Sequence, residues 1–468
     1  MRTPATSARI DVVSPSTEAP IGSVPEAGDD DVDAAVQAAR AAFTDPNGWA
    51  HWSPERRADA MERLAAELDA RASETATAVS SQNGMPISIA QRLEAVFPQL
   101  LLRYYAGLIR DTSLEEVRPG LLGGSTLVTR QPIGVVAAVI PWNFPQTLTA
   151  FKYAPGLAAG CTFVIKPSPE TVLDSYVFAD AVRAAGIPDG VINIVPGGRE
   201  LGAYLVSHPG IDKVAFTGSS VAGRQIAETC GRLLRPVTLE LGGKSAAIIL
   251  DDADLDLTKI GEQLFGATML NNGQVCYLGT RILAPRSRYD EVVEVFTGLA
   301  QSLAVGDALD PATQIGPMVS ARQRDRVESY IAKGKGDGAT VTTGGGRPGG
   351  SDKGWFVEPT VFAGVDNNHT IAQEEIFGPV LSLISYDGDD EAIALANNSD
   401  FGLGGTVWTS DHDRAVSVAR RVESGTVGIN NYLPDPTAPF GGIKASGLGR
   451  ELGPEALHAY LVPKSIYL

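Results

Sequence analysis

The stretch Gly134-Val135-Val136-Ala137-Ala138-Val139-Ile140-Pro141-Trp142-Asn143-Phe144-Pro145 decides the fold class. Residues 135–140 form a continuous apolar run, the pattern of a strand buried on both faces. Residues 146–159 have helical spacing, and 162–165 are a second apolar run. The rhythm continues with a helix near 171–185, a strand at 191–195, a helix near 200–207, a strand at 213–216, a helix near 221–231 and a strand at 237–239. Short apolar strands alternating with helices predict right-handed crossovers and a parallel sheet covered on both faces. The pattern partly repeats after Gly242, with a strand at 246–250, a helix at 255–270 and further alternation to about Arg421. The expected class is α/β.

Upstream, the first hundred residues read as helical. A helix at 29–43 opens on an acidic first turn. A second starts at Ser53 as N-cap with Pro54 following, runs towards Ser80 and is stopped by Asn83-Gly84. A third covers 87–110. These helices read as packing and surface, not chemistry. Residues 121–131 are β-prone, and 337–353 read as a Gly-rich loop or hairpin. The terminal segment 460–468 is apolar and β-prone, so it needs a pairing partner, either another subunit or an edge within the chain.

The composition excludes several function classes. Lys and Arg total 38 and Asp and Glu 55, a net charge of −17, which repels nucleic-acid phosphates and anionic membrane surfaces. The chain contains no apolar run of about 18 residues, the length of a membrane-spanning helix. The first residues lack the apolar stretch of a secretory signal, and three cysteines cannot build a disulfide framework. A cytoplasmic location is expected, with neither nucleic acid nor membrane as partner.

The cysteines differ in context. Cys161 stands at a strand entrance and Cys230 at a helix end, where each reads as a small buried hydrophobe. Cys276 lies in the polar loop Asn271-Asn272-Gly273-Gln274-Val275-Cys276. Glu240 ends an apolar strand just before Gly242-Gly243, where a carboxylate is costly unless paired or used. Asn143 follows another strand end on a rigid, Pro-flanked turn. A cysteine nucleophile, an amide donor and a carboxylate base are the set that covalent carbonyl chemistry needs. Phe216-Thr217-Gly218-Ser219 joins a strand to a helix whose free N–H groups suit a phosphate, or simply carry a serine N-cap. Lys166 ends a strand, where it reaches a sugar or phosphate or stands as a surface lysine.

Seven segments then occur in a familiar order: Pro141–Pro145, Lys166–Ser168, Phe216–Ser219, Glu240–Lys244, Gly273–Cys276, Glu374–Val380 and Pro439–Glu451. In this the chain resembles the aldehyde dehydrogenase superfamily from about Asp29 to its end. The resemblance implies a Rossmann-like cofactor domain (1–111 and 132–241), a catalytic α/β domain (242–455) and a small β oligomerisation element (112–131 and 456–468). It implies oxidation of an aldehyde to the carboxylic acid with NAD, through a thiohemiacetal and a thioester on Cys276. Asn143 matches the oxyanion donor and Glu240 the base for the hydrolytic water. Ile140, Pro141, Trp142, Lys166, Ser168, Gly198, Gly202, Phe216, Thr217, Gly218, Ser219, Leu241, Gly242, Glu375 and Phe377 match cofactor contacts. Lys152 matches a lysine near the active site. Homodimers or homotetramers are common in the family, and no metal is implied.

By family position, Phe144, Leu148, Phe151, Val275, Tyr277 and Phe440 line the aldehyde tunnel, with Tyr432-Leu433-Pro434 on a nearby loop. None is cationic, so an aliphatic, terpenoid or aromatic aldehyde fits better than a semialdehyde acid. One departure concerns the cofactor. Many NAD-using members carry Glu three residues after the lysine, where this chain has Pro169. NAD remains the expectation because residues 166–172 add no further cation, and NADP stays possible. A coenzyme-A-acylating enzyme is an alternative, disfavoured by Glu240. A non-catalytic binding or structural member is another, disfavoured by retention of both Cys276 and Glu240.

Overall fold

The computed structural model describes residues 6–350 and 352–468. A six-stranded sheet runs in the order Gly447–Leu448, Val237–Glu240, Lys213–Thr217, Val135–Val139, Thr162–Lys166, Ile192–Ile194. All are parallel except Gly447–Leu448, which runs antiparallel to Val237–Glu240. That strand comes from the segment expected to form the catalytic domain. Val135–Val139, Thr162–Lys166 and Lys213–Thr217 are buried along their whole length, which is why they read as unbroken apolar runs. Val136, Ala138 and Phe163 pack with Leu101 and Leu157 on one face. Val135, Ala137 and Val164 pack with Val32, Val36 and Leu205 on the other.

Strand order reverses between Val135–Val139 and Lys213–Thr217, so the loops after these strands part to opposite faces and open a crevice. A second sheet of seven strands runs Thr340–Thr343, Thr360–Ala363, Val380–Tyr386, Arg281–Pro285, Ala246–Ile249, Gly405–Trp408, Gly428–Ile429. Only its first pair is antiparallel. The chain passes from the carboxyl end of Val237–Glu240 to the amino end of Ala246–Ile249. The carboxyl edge of one sheet therefore faces the amino edge of the other. Trp142, Asn143 and Gly218 follow strands of the first sheet, while Gly242, Cys276 and Phe377 precede strands of the second.

Leu461–Tyr467 pairs antiparallel with Ser125–Pro132, which also pairs with Glu115–Pro119. Of the two partners considered for the terminal segment, the edge within the chain is found. The helix expected to run from Ser53 towards Ser80 is two helices, Pro54–Asp69 and Ala72–Asn83, broken at good helix formers that gave no signal. The helix expected at 87–110 is also two, Ile87–Arg92 and Phe97–Asp111, and here Pro98 in the first turn of the second was the readable cue. The first hundred residues are not wholly helical, because Arg9–Val13 and Pro20–Pro25 form an antiparallel hairpin. The segment 337–353 contains the strand Thr340–Thr343. Among the described residues no helix is long and apolar enough to cross a membrane.

Phe163 is fully buried on the strand Thr162–Lys166 of the first sheet, and a Cβ on Gly156 would lie 2.2 Å from its ring. The bare helix face at Gly156 is therefore what admits the aromatic side chain. Phe163→Ala should cost about 3–5 kcal/mol through lost burial and the cavity left behind. A fall in the urea or thermal unfolding midpoint measures it.

Candidate active site

Three consecutive residues before the cysteine loop adopt left-handed backbone: Asn271 at φ 48°, Asn272 at φ 60° and Gly273 at φ 72°. For the two asparagines this costs roughly 1–2 kcal/mol each. The side chains offset it. Asn271 Nδ2 donates to the Asn143 carbonyl at 3.0 Å. Asn272 Nδ2 donates to the carbonyls of Gly84 (2.9 Å) and Pro317 (3.0 Å), and its Oδ1 accepts from Gly316 N at 2.6 Å. At Gly273 a Cβ would lie 2.2 Å from the Gly378 carbonyl, so only glycine fits. The turn delivers Cys276 to the wall of the cleft between the sheets.

Asn143 sits opposite. Its Nδ2 donates to the Gln274 carbonyl at 3.0 Å, which fixes the amide and leaves its second N–H for the cleft. Its backbone carbonyl accepts from Asn83 Nδ2 at 3.3 Å as well as from Asn271. Asn83 also donates to the Trp142 carbonyl. Asn83, read from sequence only as a helix-stopping residue, is thus part of the support of the site.

Glu240 is 2% exposed, and neither carboxylate oxygen has a hydrogen-bond partner. Gly441, at φ 150°, passes so close that a Cβ would lie 2.4 Å from Oε1. Burial holds this carboxyl well above the usual range, reinforced by the charge of Glu451 and opposed by Lys152 and Arg450. Lys152 is fully buried and donates to Glu451 Oε1 at 2.7 Å and Thr217 Oγ1 at 2.6 Å. Burial also raises the Cys276 thiol, with Glu375 and Glu240 adding to the effect. Its resting form is therefore the thiol.

The cleft encloses about 800 Å³. Of the expected cofactor contacts, Pro141, Trp142, Thr217, Gly218, Ser219, Leu241, Gly242, Glu375 and Phe377 line it. Ser219 Oγ accepts from Ala222 N, capping the helix Ser220–Arg232, whose N-terminal end opens into the cleft. Phe377, at φ 62°, meets the Trp142 ring edge-on at 5.2 Å. Glu375 Oε1 accepts from Gly243 N at 2.9 Å, and burial raises its pKa to about 7. Lys166, Ser168, Gly198 and Gly202 lie outside these walls, as one neighbouring group. Lys166 Nζ donates to the carbonyls of Pro167 and Gly197, and its stem passes 3.3 Å from where a Gly202 Cβ would stand. Gly198 caps the helix Arg199–Ser207. Ser168 Oγ donates to Glu170. Ile140 and Phe216 are buried at strand ends and do not line the cleft; the Phe216 ring fills the space beside Gly218. Sequence reasoning missed Arg322, Gln323 and Arg326, which reach the cleft from the helix Ala321–Gly336. That helix is amphipathic in the ordinary way and gave no signal.

A second, apolar pocket holds all six expected tunnel residues, Phe144, Leu148, Phe151, Val275, Tyr277 and Phe440, with Leu433 and Pro434. Leu93 and Phe97 also line it, from the region read as mere packing, together with Thr147. Among the described residues no charged side chain lines it. Asn143 and Cys276 border both the cleft and the pocket.

Cys161 and Cys230 are buried and Cys276 is partly exposed. A small alkylating reagent should therefore modify native protein at Cys276 alone, and a Cys276→Ala variant should stay unmodified. Because the thiol is raised, the rate should keep climbing as pH increases beyond the ordinary cysteine range. Mass spectrometry after timed labelling reads both outcomes.

The sequence profile of the Aldehyde dehydrogenase family matches residues 2–466. A geranial dehydrogenase of Castellaniella defragrans is 57% identical over 465 residues, covering 99% of this chain and 96% of the relative. The solved structure of a Mycobacterium tuberculosis aldehyde dehydrogenase complexed with NAD+ is similar at 46% identity and a TM-score of 0.96, covering 100% of this chain and 96% of that one. A mutant of aldehyde dehydrogenase C from Pseudomonas syringae, solved with NAD+ and octanal, is similar at 40% identity and a TM-score of 0.95, covering 100% and 94%. On the profile match and on these identities, the chain belongs to the aldehyde dehydrogenase family.

Proposed function

We propose that the protein oxidises apolar aldehydes, terpenoid aldehydes among them, to carboxylic acids with NAD. The observation that carries this reading is the apolar pocket ending on Cys276 and Asn143, with no charged group along its walls. A carboxylate-bearing substrate would enter such a pocket unpaired. The 57% identical relative is named for geranial, an apolar aldehyde.

The residues around the large cleft suit a dinucleotide. The end of the helix Ser220–Arg232 offers N–H groups and a positive dipole end to a pyrophosphate. Glu375 holds ribose hydroxyls, and Lys166, through its remaining N–H, does the same at the adenosine end. Glu170 and Glu26 both act electrostatically on Lys166, and so stand where a 2′-phosphate would be repelled. Arg322 pairs with Glu170 at 3.2 Å and is already engaged there. When bound, NAD supplies the hydride acceptor.

The chain's own residues do the rest. Cys276, which is partly exposed, gives its proton to solvent water and its sulfur attacks the carbonyl carbon. The free N–H of Asn143 stabilises the developing oxyanion. Once hydride has left, the acyl group remains on Cys276 as a thioester. Glu240, its two oxygens unpartnered, takes a proton from water. The resulting hydroxide attacks the thioester, the C–S bond breaks with sulfur leaving as the thiolate, and the proton held by Glu240 restores the thiol.

Two measurements test this. Glu240→Gln should give one rapid turnover of NADH and then a very slow steady rate, since an amide cannot take the water's proton; loss of the rapid phase would assign Glu240 another task. Steady-state kinetics with octanal or geranial should give a higher kcat/KM with NAD than with NADP. A tenfold preference for NADP, about 1.4 kcal/mol in transition-state terms, would overturn the cofactor assignment.

A further inference from the structure

We propose that Glu94 sets the substrate range, by clamping together the two walls of the apolar pocket. The inference rests on the reading of that pocket as the aldehyde site.

Glu94 lies in the four-residue break between the helices Ile87–Arg92 and Phe97–Asp111, and is 1% exposed. Its Oε2 accepts from Gln146 N at 2.8 Å and its Oε1 from Thr147 N at 3.2 Å. These are the first donors of the helix Pro145–Ala159, because Pro145 has no N–H. A carboxylate from a distant part of the chain thus caps this helix, where its charge also meets the positive dipole end. Thr147 Oγ1 returns a bond to the Leu93 carbonyl at 3.3 Å.

The two sides of this clamp are the two sides of the pocket. Leu93 and Phe97 flank Glu94, while Phe144, Leu148 and Phe151 surround its bonding partners. The Phe97 and Phe151 rings stand 5.9 Å apart across the junction. Behind it, Asp174 accepts from Gln146 Nε2 and, at 2.5 Å, from Gln82 Nε2, so the first helical turn is held from a second side. Burial raises Glu94 to about 7, with the bonds from Gln146 and Thr147 opposing it. Asn143 is anchored separately, by Asn83, Asn271 and Gln274. Loosening the clamp therefore disturbs the pocket walls while leaving the oxyanion donor in place. An aldehyde that fills the pocket feels the change, and a two-carbon aldehyde does not.

The test compares kcat/KM for octanal and acetaldehyde in wild type, Glu94→Gln and Glu94→Asp, with the thermal midpoint of each. Glu94→Gln turns an amide donor towards the helix N–H groups. It should lower the octanal-to-acetaldehyde ratio by about tenfold, mostly through KM. Glu94→Asp keeps the charge and should recover part of that ratio. A cap serving stability alone would lower the midpoint and leave the ratio unchanged, and that result in a folded variant overturns the proposal. If Glu94→Gln does not fold, a wild-type ratio in Glu94→Asp overturns it. If neither folds, Glu94 serves stability and the proposal falls. Wild-type protein that oxidises neither aldehyde would instead overturn the proposed function, and the clamp with it.

Discussion

The Asn143 backbone carbonyl, buried between two sheets, receives the side-chain amides of Asn83 and Asn271. Those donors come from the end of an N-terminal helix and from the left-handed turn before Cys276. The Asn143 side chain returns a bond to Gln274 in that same turn. Three distant parts of the chain are thereby tied at one residue. Each bond is worth only about 1 kcal/mol net, but removing a partner leaves a buried polar group unsatisfied at about 1–3 kcal/mol. That asymmetry makes the left-handed asparagines tolerable: their strain is offset only while the Asn143 loop is in place. The loop is in place because Val135–Val139 ends at the switch point of a fully buried sheet.

Around this knot the protein buries, wholly or in part, a set of carboxyl groups. Glu240, Glu375, Glu94 and Asp174 are all raised, each mainly by loss of water. They differ in what they bond. Glu94 and Glu375 accept from backbone N–H groups, and Asp174 accepts from the side-chain amides of Gln82 and Gln146. Glu240 accepts from no protein group among the described residues. A group whose hydrogen bonds are complete is poorly suited to moving protons, and one whose acceptors are vacant is well suited. The role proposed for Glu240 therefore rests on its bonding, not on its burial, which the other three share in part.

The same distinction explains what the sequence revealed. The parallel strands were legible because burial on both faces writes them as unbroken apolar runs. Cys276, Glu240 and Asn143 were legible because polar residues beside glycines at strand ends contradict their apolar surroundings. The hairpin of Arg9–Val13 and Pro20–Pro25 was not, since its short, half-exposed strands carry no such run. Nor were Leu93 and Phe97, whose side chains look like ordinary helix-packing residues until the break at 93–96 turns them into the pocket. The split between Pro54–Asp69 and Ala72–Asn83 was invisible because tertiary packing overrides the propensity of Ala70-Arg71. Arg322 and Arg326 were hidden for a different reason: nothing local tells a surface arginine from one that overhangs a cleft.

Cleft and pocket differ in character, and they share Asn143 and Cys276 as walls. The cleft is edged by a helix N-terminus, arginines and carboxylates, as a charged, hydroxyl-rich ligand requires. The pocket is edged by rings and aliphatic side chains, as an apolar ligand requires. Merging the two would leave polar groups of the cleft facing hydrocarbon, at a cost of several kcal/mol. Keeping them apart confines contact between the two ligands to one point. In the proposed mechanism that point carries the attacking sulfur and an amide donor, so the charge formed appears beside a hydrogen-bond donor. An aldehyde's single polar end, the carbonyl, is matched by the wall that carries Asn143 and Cys276, while Thr147, which also lines the pocket, directs its hydroxyl to the Leu93 carbonyl. Substrate discrimination is then left to the shape of the apolar walls, and shape is what the helix Pro145–Ala159 and its cap determine.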